Sequence, residues 1–197
     1  ADDDGDGVPD ICGPVQWRVE DGGNGHWYEG VVQPGLTWDQ SAAESAERGG
    51  HLTTPTTATE NTFIYDLIEP IVPLWNGGQF NGPWIGGFQD VDAPDYSEPA
   101  GGWRWITGEP WEYTNWEDGP DPQPDDNDGN IPEFHLQYWE RDDDTWNDTG
   151  IKSNVSGYII EWSADCNGDG IVDYGQILDG TFADTDSNGV PDICDQT

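Results

Sequence analysis

Asp or Asn at every second position, closed by a glycine, is an arrangement suited to wrapping a hard cation. The clearest copies stand near the C-terminus. In DCNGDGIVD, Asp165, Asn167, Asp169 and Asp173 occupy positions 1, 3, 5 and 9, and in DTDSNGVPD, Asp184, Asp186, Asn188 and Asp192 do the same. A third copy opens the chain with Asp2, Asp4, Asp6 and Asp10. Calcium takes six to eight oxygen ligands at about 2.3–2.6 Å, and alternating side chains on a short loop can supply them. Gly7, Gly170 and Gly189 stand at position 6, where such a loop turns sharply. The residue after each (Val8, Ile171, Val190) is expected to give its carbonyl to the ion and its side chain to a small core. The bland alternative is a solvated acidic linker, and three copies with the same punctuation argue against it.

Position 12, where an EF-hand carries a bidentate Glu, holds Gly13, Gln176 and Asp195, so these loops are of another kind. They resemble the calcium loops of dockerins and thrombospondin type 3 repeats. On that resemblance, residues 164–197 read as a complete two-loop unit, with Cys166 and Cys194 placed to staple it. Residues 1–13 then read as half of a preceding unit, and Cys12 as its orphaned cysteine.

Composition agrees with a cation-loaded chain. Only 5 Lys and Arg face 41 Asp and Glu, a formal net charge of -36 over 197 residues. Self-repulsion on that scale opposes compaction unless cations bind, and it excludes nucleic acid and anionic membranes as partners. Twelve Trp and 27 Gly separate the chain from disordered acidic tails, which lack aromatics. No stretch approaches the roughly 20 apolar residues of a membrane helix. Without an initiator Met or a signal peptide, the chain reads as processed or cut from a longer one. The expectation is an extracellular or cell-surface protein, of bacterial type.

The centre of the chain, 14–163, has the texture of a folded domain. VQWRV and HWYEGVV alternate as an early hairpin. TWDQSAAESAERGG carries a capping box at Thr37 and Gln40 and stops at Gly49-Gly50, which predicts a helix burying Trp38, Ala42 and Ala46, with Leu52 beyond. TATENTFIYDLIEP repeats the device with Thr57 and Glu60 and is expected to bury Phe63, Ile64, Leu67 and Ile68. Short aromatic strands follow between Gly/Pro/Asp loops: WIGGF, GGWRW, EFHLQYW, TWND and GYIIEW.

Two helices, then WIGGF, TNW, a polar-Pro-polar triplet, WND and GYIIEW resemble, in that order, the C-type lectin-like domain over about residues 15–162. The resemblance implies an α+β fold with two helices, antiparallel sheets and a long loop region that binds calcium and sugar. It implies a calcium set of Gln123, Asp125, Glu133, Asn147 and Asp148, of which Gln123, Asp125, Glu133 and Asn147 also hold the sugar's hydroxyls. The Gln-Pro-Asp order resembles the galactose type. Three departures accompany it. Ser45 and Ile160 stand where many members have cysteines; the stretch EDGPDP before Gln123 makes Asp121-Pro122-Gln123 an overlapping triplet; and Asn127 replaces a sugar-stacking Trp, leaving Trp111, Trp116, Tyr138 or Trp139 as substitutes. Trp84, Trp105, Trp146 and Trp162 read as core, and His26, His51 and His135 as satisfied histidines.

No nucleophile–His–acid arrangement, HExxH or phosphate-cradling glycine loop is present, and the clustered acids are accounted for as calcium ligands, so catalysis is not expected. The partners expected are a glycan, or neighbouring copies of the chain joined head to tail through calcium loops.

Overall fold

A computed structural model describes residues 13–75, 81–126, 132–150 and 155–195. The copy at Asp2, Asp4, Asp6 and Asp10 lies outside the described residues, as do Cys12 and Asn127.

Strands β1 (Val15–Gln16) and β2 (Trp27–Val32) form the early hairpin, with Val15 opposite Tyr28. Helix α1 (Trp38–Glu47) begins with the capping box read from its sequence. The Thr37 side chain accepts from the Gln40 backbone N–H, and the Gln40 side chain accepts from that of Thr37. Its buried face is Trp38, Ser41 and Ser45, and Ala46 is exposed, against expectation. The reason is angular. Steps of four residues advance 400°, so Ala46 lies about 80° from Trp38, whereas Ser45 lies only about 20° away. Ser45 is buried without loss because its hydroxyl donates to the Ser41 carbonyl at 2.8 Å.

After β3 (His51–Leu52), helix α2 (Ala58–Ile68) is capped by Thr57, whose hydroxyl accepts from the Glu60 N–H. Ile64 and Ile68 are fully buried, and Phe63 and Leu67 pack partly buried against the same core. Glu60 does not close a capping box. Its carboxylate turns inward and accepts from Tyr28, Asn24 and Thr56.

The remaining strands are β4 (Trp84–Gln89), β5 (Trp103–Trp105), β6 (His135–Tyr138), β7 (Trp146–Thr149) and β8 (Gly157–Trp162). They join one sheet in the order β1-β2-β8-β4-β6-β7, with β3 also on β8 and β5 also on β4. All pairs are antiparallel except β4 with β8. Strand β8 pairs with β2, β3 and β4 and is buried at every residue. That explains why GYIIEW is a nearly unbroken apolar run rather than an alternating one. Trp84, Trp105, Trp146 and Trp162 are all core residues, each 1% exposed or less. Ser45 and Ile160, the places where the resemblance led to an expectation of cysteines, are fully buried and filled by packing. Beyond β8 a two-loop module contains the short helix α3 (Asp173–Leu178) and a Cys166–Cys194 disulfide with Cα atoms 6.1 Å apart.

Candidate functional site

A buried asparagine on α2 sets the floor of the long loop region. Asn61 Oδ1 accepts from Trp146 Nε1 at 2.8 Å and from the Tyr138 hydroxyl at 2.9 Å, while its Nδ2 donates to the Asp144 carbonyl at 2.9 Å. Asn115 donates to the same carbonyl at 2.9 Å. The TNW segment therefore runs beside β7, with Trp146 N–H donating to Asn115 O and Glu117 N–H donating to Trp146 O. Glu117 also receives the Thr145 hydroxyl on its carboxylate and the Gln123 N–H on its carbonyl, at 2.8 Å in the latter case. This last bond closes the extra stretch EDGPDP into a small bubble before the triplet.

Above that floor, carboxylate oxygens of Asp125, Glu133 and Asp148 lie within 4.8 Å of one another. Glu133 is 5% exposed and Asp148 1%. The backbone N–H groups of Asp125 and Asp126 donate to the two Asp148 oxygens, each at 3.2 Å, and Glu133 N–H donates to Asp126 Oδ1. Of the overlapping triplets, Gln123-Pro124-Asp125, whose Gln–Pro peptide is cis, brings its acid to the cluster, whereas Asp121 is exposed. Gln123 Oε1 is buried and receives no hydrogen bond, its Nε2 being turned to the Asp121 carbonyl. Asn147, 8% exposed, precedes Asp148 on β7.

The charge at this site is uncompensated by nearby arginines. Each of the four described arginines is already paired elsewhere: Arg18 with Glu20, Arg48 with Glu29, Arg104 with Asp95 and Arg141 with Glu69. Burial pushes the Asp148 carboxyl up to about 6, against the opposing pull of the Asp126 and Asp125 N–H groups. Three converging carboxylates, one orphaned amide oxygen and an adjacent asparagine amide form an all-oxygen donor set of the kind calcium takes. The donor chemistry fits the ion.

The aromatic substitutes for a sugar platform are mostly structural. Tyr138 and Trp139 are buried, and Trp111 and Trp116 pack into a cluster with Trp103, Trp105 and Trp146.

A second acidic cluster escaped the sequence reading. His26 Nδ1 lies 2.6 Å from Glu161 Oε1, and Glu60 belongs to the same group. Glu161 Oε2 accepts from the Thr53 hydroxyl and the Thr54 N–H, so the acids are supplied with internal donors. Burial opposes charge on both partners. The hydrogen bond and attraction between them prevail, holding His26 above and Glu161 below their ordinary ranges. The available signal was Glu161 itself, a lone acid in a fully buried strand. His51 is satisfied by Ser163, and His135 stacks on Trp38.

The two C-terminal loops repeat one hydrogen-bond scheme. Asp165 and Asp184 each accept from the glycine N–H at position 6, Gly170 and Gly189, which have φ of +85° and +81°. Asp173 and Asp192 each accept from the N–H at position 2 and donate their own N–H to the alanine carbonyl before the loop. Asp169 and Asn188 each accept from the N–H two residues on. Asn167 and Asp186 complete the series at position 3, each bonded to the N–H at position 5. Ile171, expected in a small core, is 52% exposed, and Val172 is buried in its stead.

A family model described as the lectin C-type domain matches residues 35–159. C-type mannose receptor 2 of Mus musculus is 30% identical over 117 residues, 59% of this chain but 7% of the receptor. Ladderlectin of Oncorhynchus mykiss is 27% identical over 130 residues, 66% of this chain and 60% of ladderlectin. The chain thus spans less than two thirds of the length of these relatives. Among solved structures, the cow CD23 C-type carbohydrate-recognition domain, determined in the presence of GlcNAc2Man3 oligosaccharide, superposes with TM-score 0.55 at 19% identity, over 78% of this chain and 95% of that one. The mouse scavenger receptor C-type lectin carbohydrate-recognition domain gives 0.52 at 20% identity, over 72% and 92%. Both likenesses concern the fold.

Proposed function

The chain belongs to the C-type lectin domain family, and from that premise we propose that it is a secreted or cell-surface module that binds carbohydrate through calcium and catalyses nothing. The observation that carries the reading is the meeting of Asp125, Glu133 and Asp148 beside a buried, unbonded Gln123 Oε1. Gln123, Asp125, Glu133, Asn147 and Asp148 would hold the ion. When bound, calcium accepts two vicinal sugar hydroxyls into its coordination shell. The chain's own part is orientation. Carboxylates of Asp125 and Glu133 accept the hydroxyl protons, and the amides of Gln123 and Asn147 donate to the hydroxyl oxygens. The order Gln-Pro-Asp favours a galactose-type diol. No helix among the described residues is long and apolar enough to cross a membrane.

The paired loops of 164–195, with their common bonding scheme, support a second element of the proposal. They are calcium loops of a joint between domains of a longer, repetitive protein. A purely structural reading, with calcium rigidifying the chain and no sugar bound, is favoured by one observation: Tyr138 and Trp139 are buried and Trp111 and Trp116 are packed into the frame. A glycan array in calcium and in EDTA, on the wild type and Asp125→Ala, separates the two. The lectin reading requires binding that vanishes with either change; binding absent throughout, or indifferent to both, refutes it.

A further inference from the structure

The C-terminal module is seated on the lectin domain, and its first loop ends at the seam. A small cavity there is lined by Gly49, Trp162, Asp173, Tyr174 and Gly189, among others. Tyr174 stacks on Trp162 with ring centroids 4.2 Å apart and planes 16° from parallel, and meets Trp27 edge-on at 6.0 Å. Trp162 ends β8. Its indole N–H donates to the Arg48 carbonyl at 2.7 Å, and the Arg48 guanidinium lies over the same ring at 5.3 Å. The second loop touches the same turn backbone to backbone. A Cβ on Gly189 would fall 2.0 Å from the Arg48 carbonyl oxygen, and one on Gly49 would fall 2.6 Å from Gly189 C.

The two loops are equivalent in scheme but not in completeness. Asp192 has both oxygens satisfied by Thr185, one by its N–H at 2.8 Å and one by its hydroxyl at 2.6 Å. In the first loop Cys166 takes the place of Thr185, and its sulfur is committed to the disulfide. Asp173 Oδ2 accepts from Cys166 N–H at 2.8 Å, and Asp173 holds a carboxylate oxygen within 4.8 Å of the Cys166 and Cys194 sulfurs. Its Oδ1 is buried without any donor, on a residue only 2% exposed. A bare carboxylate oxygen removed from water costs free energy unless something positive meets it. The same loop offers Asp165, Asn167 and Asp169.

We propose that a calcium ion in the first loop, with Asp173 Oδ1 among its ligands, locks the module onto the lectin domain through Tyr174. Asp173 begins α3 and Tyr174 is its neighbour in the chain, so fixing the carboxylate fixes the base of the stacked ring. By linkage, docking raises the affinity of that loop for calcium by the same factor. The inference rests on the reading of the terminal loops as calcium sites.

The test is calcium titration of the full chain by calorimetry, joined to hydrogen exchange at residues 48–50 and 172–175 in calcium and in EDTA. The variants are Asp173→Asn, Asp169→Ala at the exposed side of the loop, and Tyr174→Ala. Both loop variants should bind one calcium fewer and lose the calcium-dependent protection at 48–50. Tyr174→Ala should keep the calcium count, bind that ion about tenfold more weakly, and lose the same protection. An unchanged count in both loop variants would remove the loop as a calcium site, and the terminal-loop reading with it. A lost calcium with identical exchange at 48–50 in calcium and EDTA would leave the loop reading standing and overturn the coupling. Wild-type affinity in Tyr174→Ala would also overturn it.

Discussion

Asp148→Asn should make the calcium-free protein more stable at neutral pH while weakening its response to calcium. Asp148 is 1% exposed, and burial raises its carboxyl to about 6 from an ordinary 3.8. The folded state therefore holds the proton more tightly than the unfolded chain. The stabilisation from the neutral acid is complete below about pH 4 and is lost as pH rises through about 6. About two pK units at 1.36 kcal/mol each amount to roughly 3 kcal/mol, as an upper figure. Asparagine is neutral throughout and keeps one of the two acceptor oxygens that Asp125 and Asp126 N–H groups use. In EDTA, wild type and variant should thus have similar stability near pH 4 and diverge to about 2–3 kcal/mol in favour of the variant by pH 7.5. Urea unfolding across that range measures the difference, in which the titrations of groups that do not interact with Asp148 cancel. Added calcium should reverse the order, because the wild type gains RT ln(1 + [Ca]/Kd) from a site the variant has lost. A pH-independent difference, or a variant less stable than wild type in EDTA at pH 7.5, would refute the reasoning. So would equal stabilisation of the two proteins by calcium.

Three further outcomes follow from the same structure. Asn61→Ala leaves the Trp146 and Tyr138 donors buried without their acceptor, and should cost about 2–4 kcal/mol in urea unfolding and weaken calcium binding at the lectin loop. His26→Gln should abolish a stabilising component that the wild type has in full below about pH 6.5 and loses as pH rises through the elevated His26 value; stability curves that stay parallel from pH 6 to 9 would count against it. Replacing Cys166 and Cys194 together by serine should lower the module's stability by about 3 kcal/mol, seen as earlier proteolysis of residues 164–195 while the 35–159 core resists.

The frame was legible because its signals are local. The capping box at Thr37, the stop at Gly49-Gly50 and the run GYIIEW each encode an element without reference to anything distant. The face of α1 was misjudged because a stripe read in steps of four drifts around the cylinder, and the small serines that pack inward carry no hydrophobic signal. The Asp125–Glu133–Asp148 meeting came from motif order rather than from spacing, since those acids are brought together by folding. Sequence left two triplets open, and burial separates them: Asp121 stays in solvent while Asp125 reaches Asp148. Asn61 and the His26–Glu60–Glu161 group were invisible for a related reason. Apart from Thr56, four residues from Glu60, their partners lie 32 to 135 residues away, and a polar residue on a helix reads by default as surface. In the terminal loops the spacing revealed the repeat, but not that Cys166 in place of Thr185 would leave one oxygen of Asp173 bare.

The bond from Gln123 N–H to the Glu117 carbonyl has a consequence for how such a loop changes over generations. Residues 118–122 are pinched off at their base and tied locally, by Gly119 N–H to the Glu117 carboxylate and by the Gln123 amide to the Asp121 carbonyl, while Asn61 and Asn115 hold β7 from beneath through the Asp144 carbonyl. Insertions or deletions within the bubble need not be transmitted to Asp125 or Asp148, because loop length adds only slowly to the entropy of closure. The frame can thus stay fixed while the rim of the binding surface is rewritten, and a foreign peptide spliced between Asp118 and Pro122 should be displayed outward at little expense to the fold.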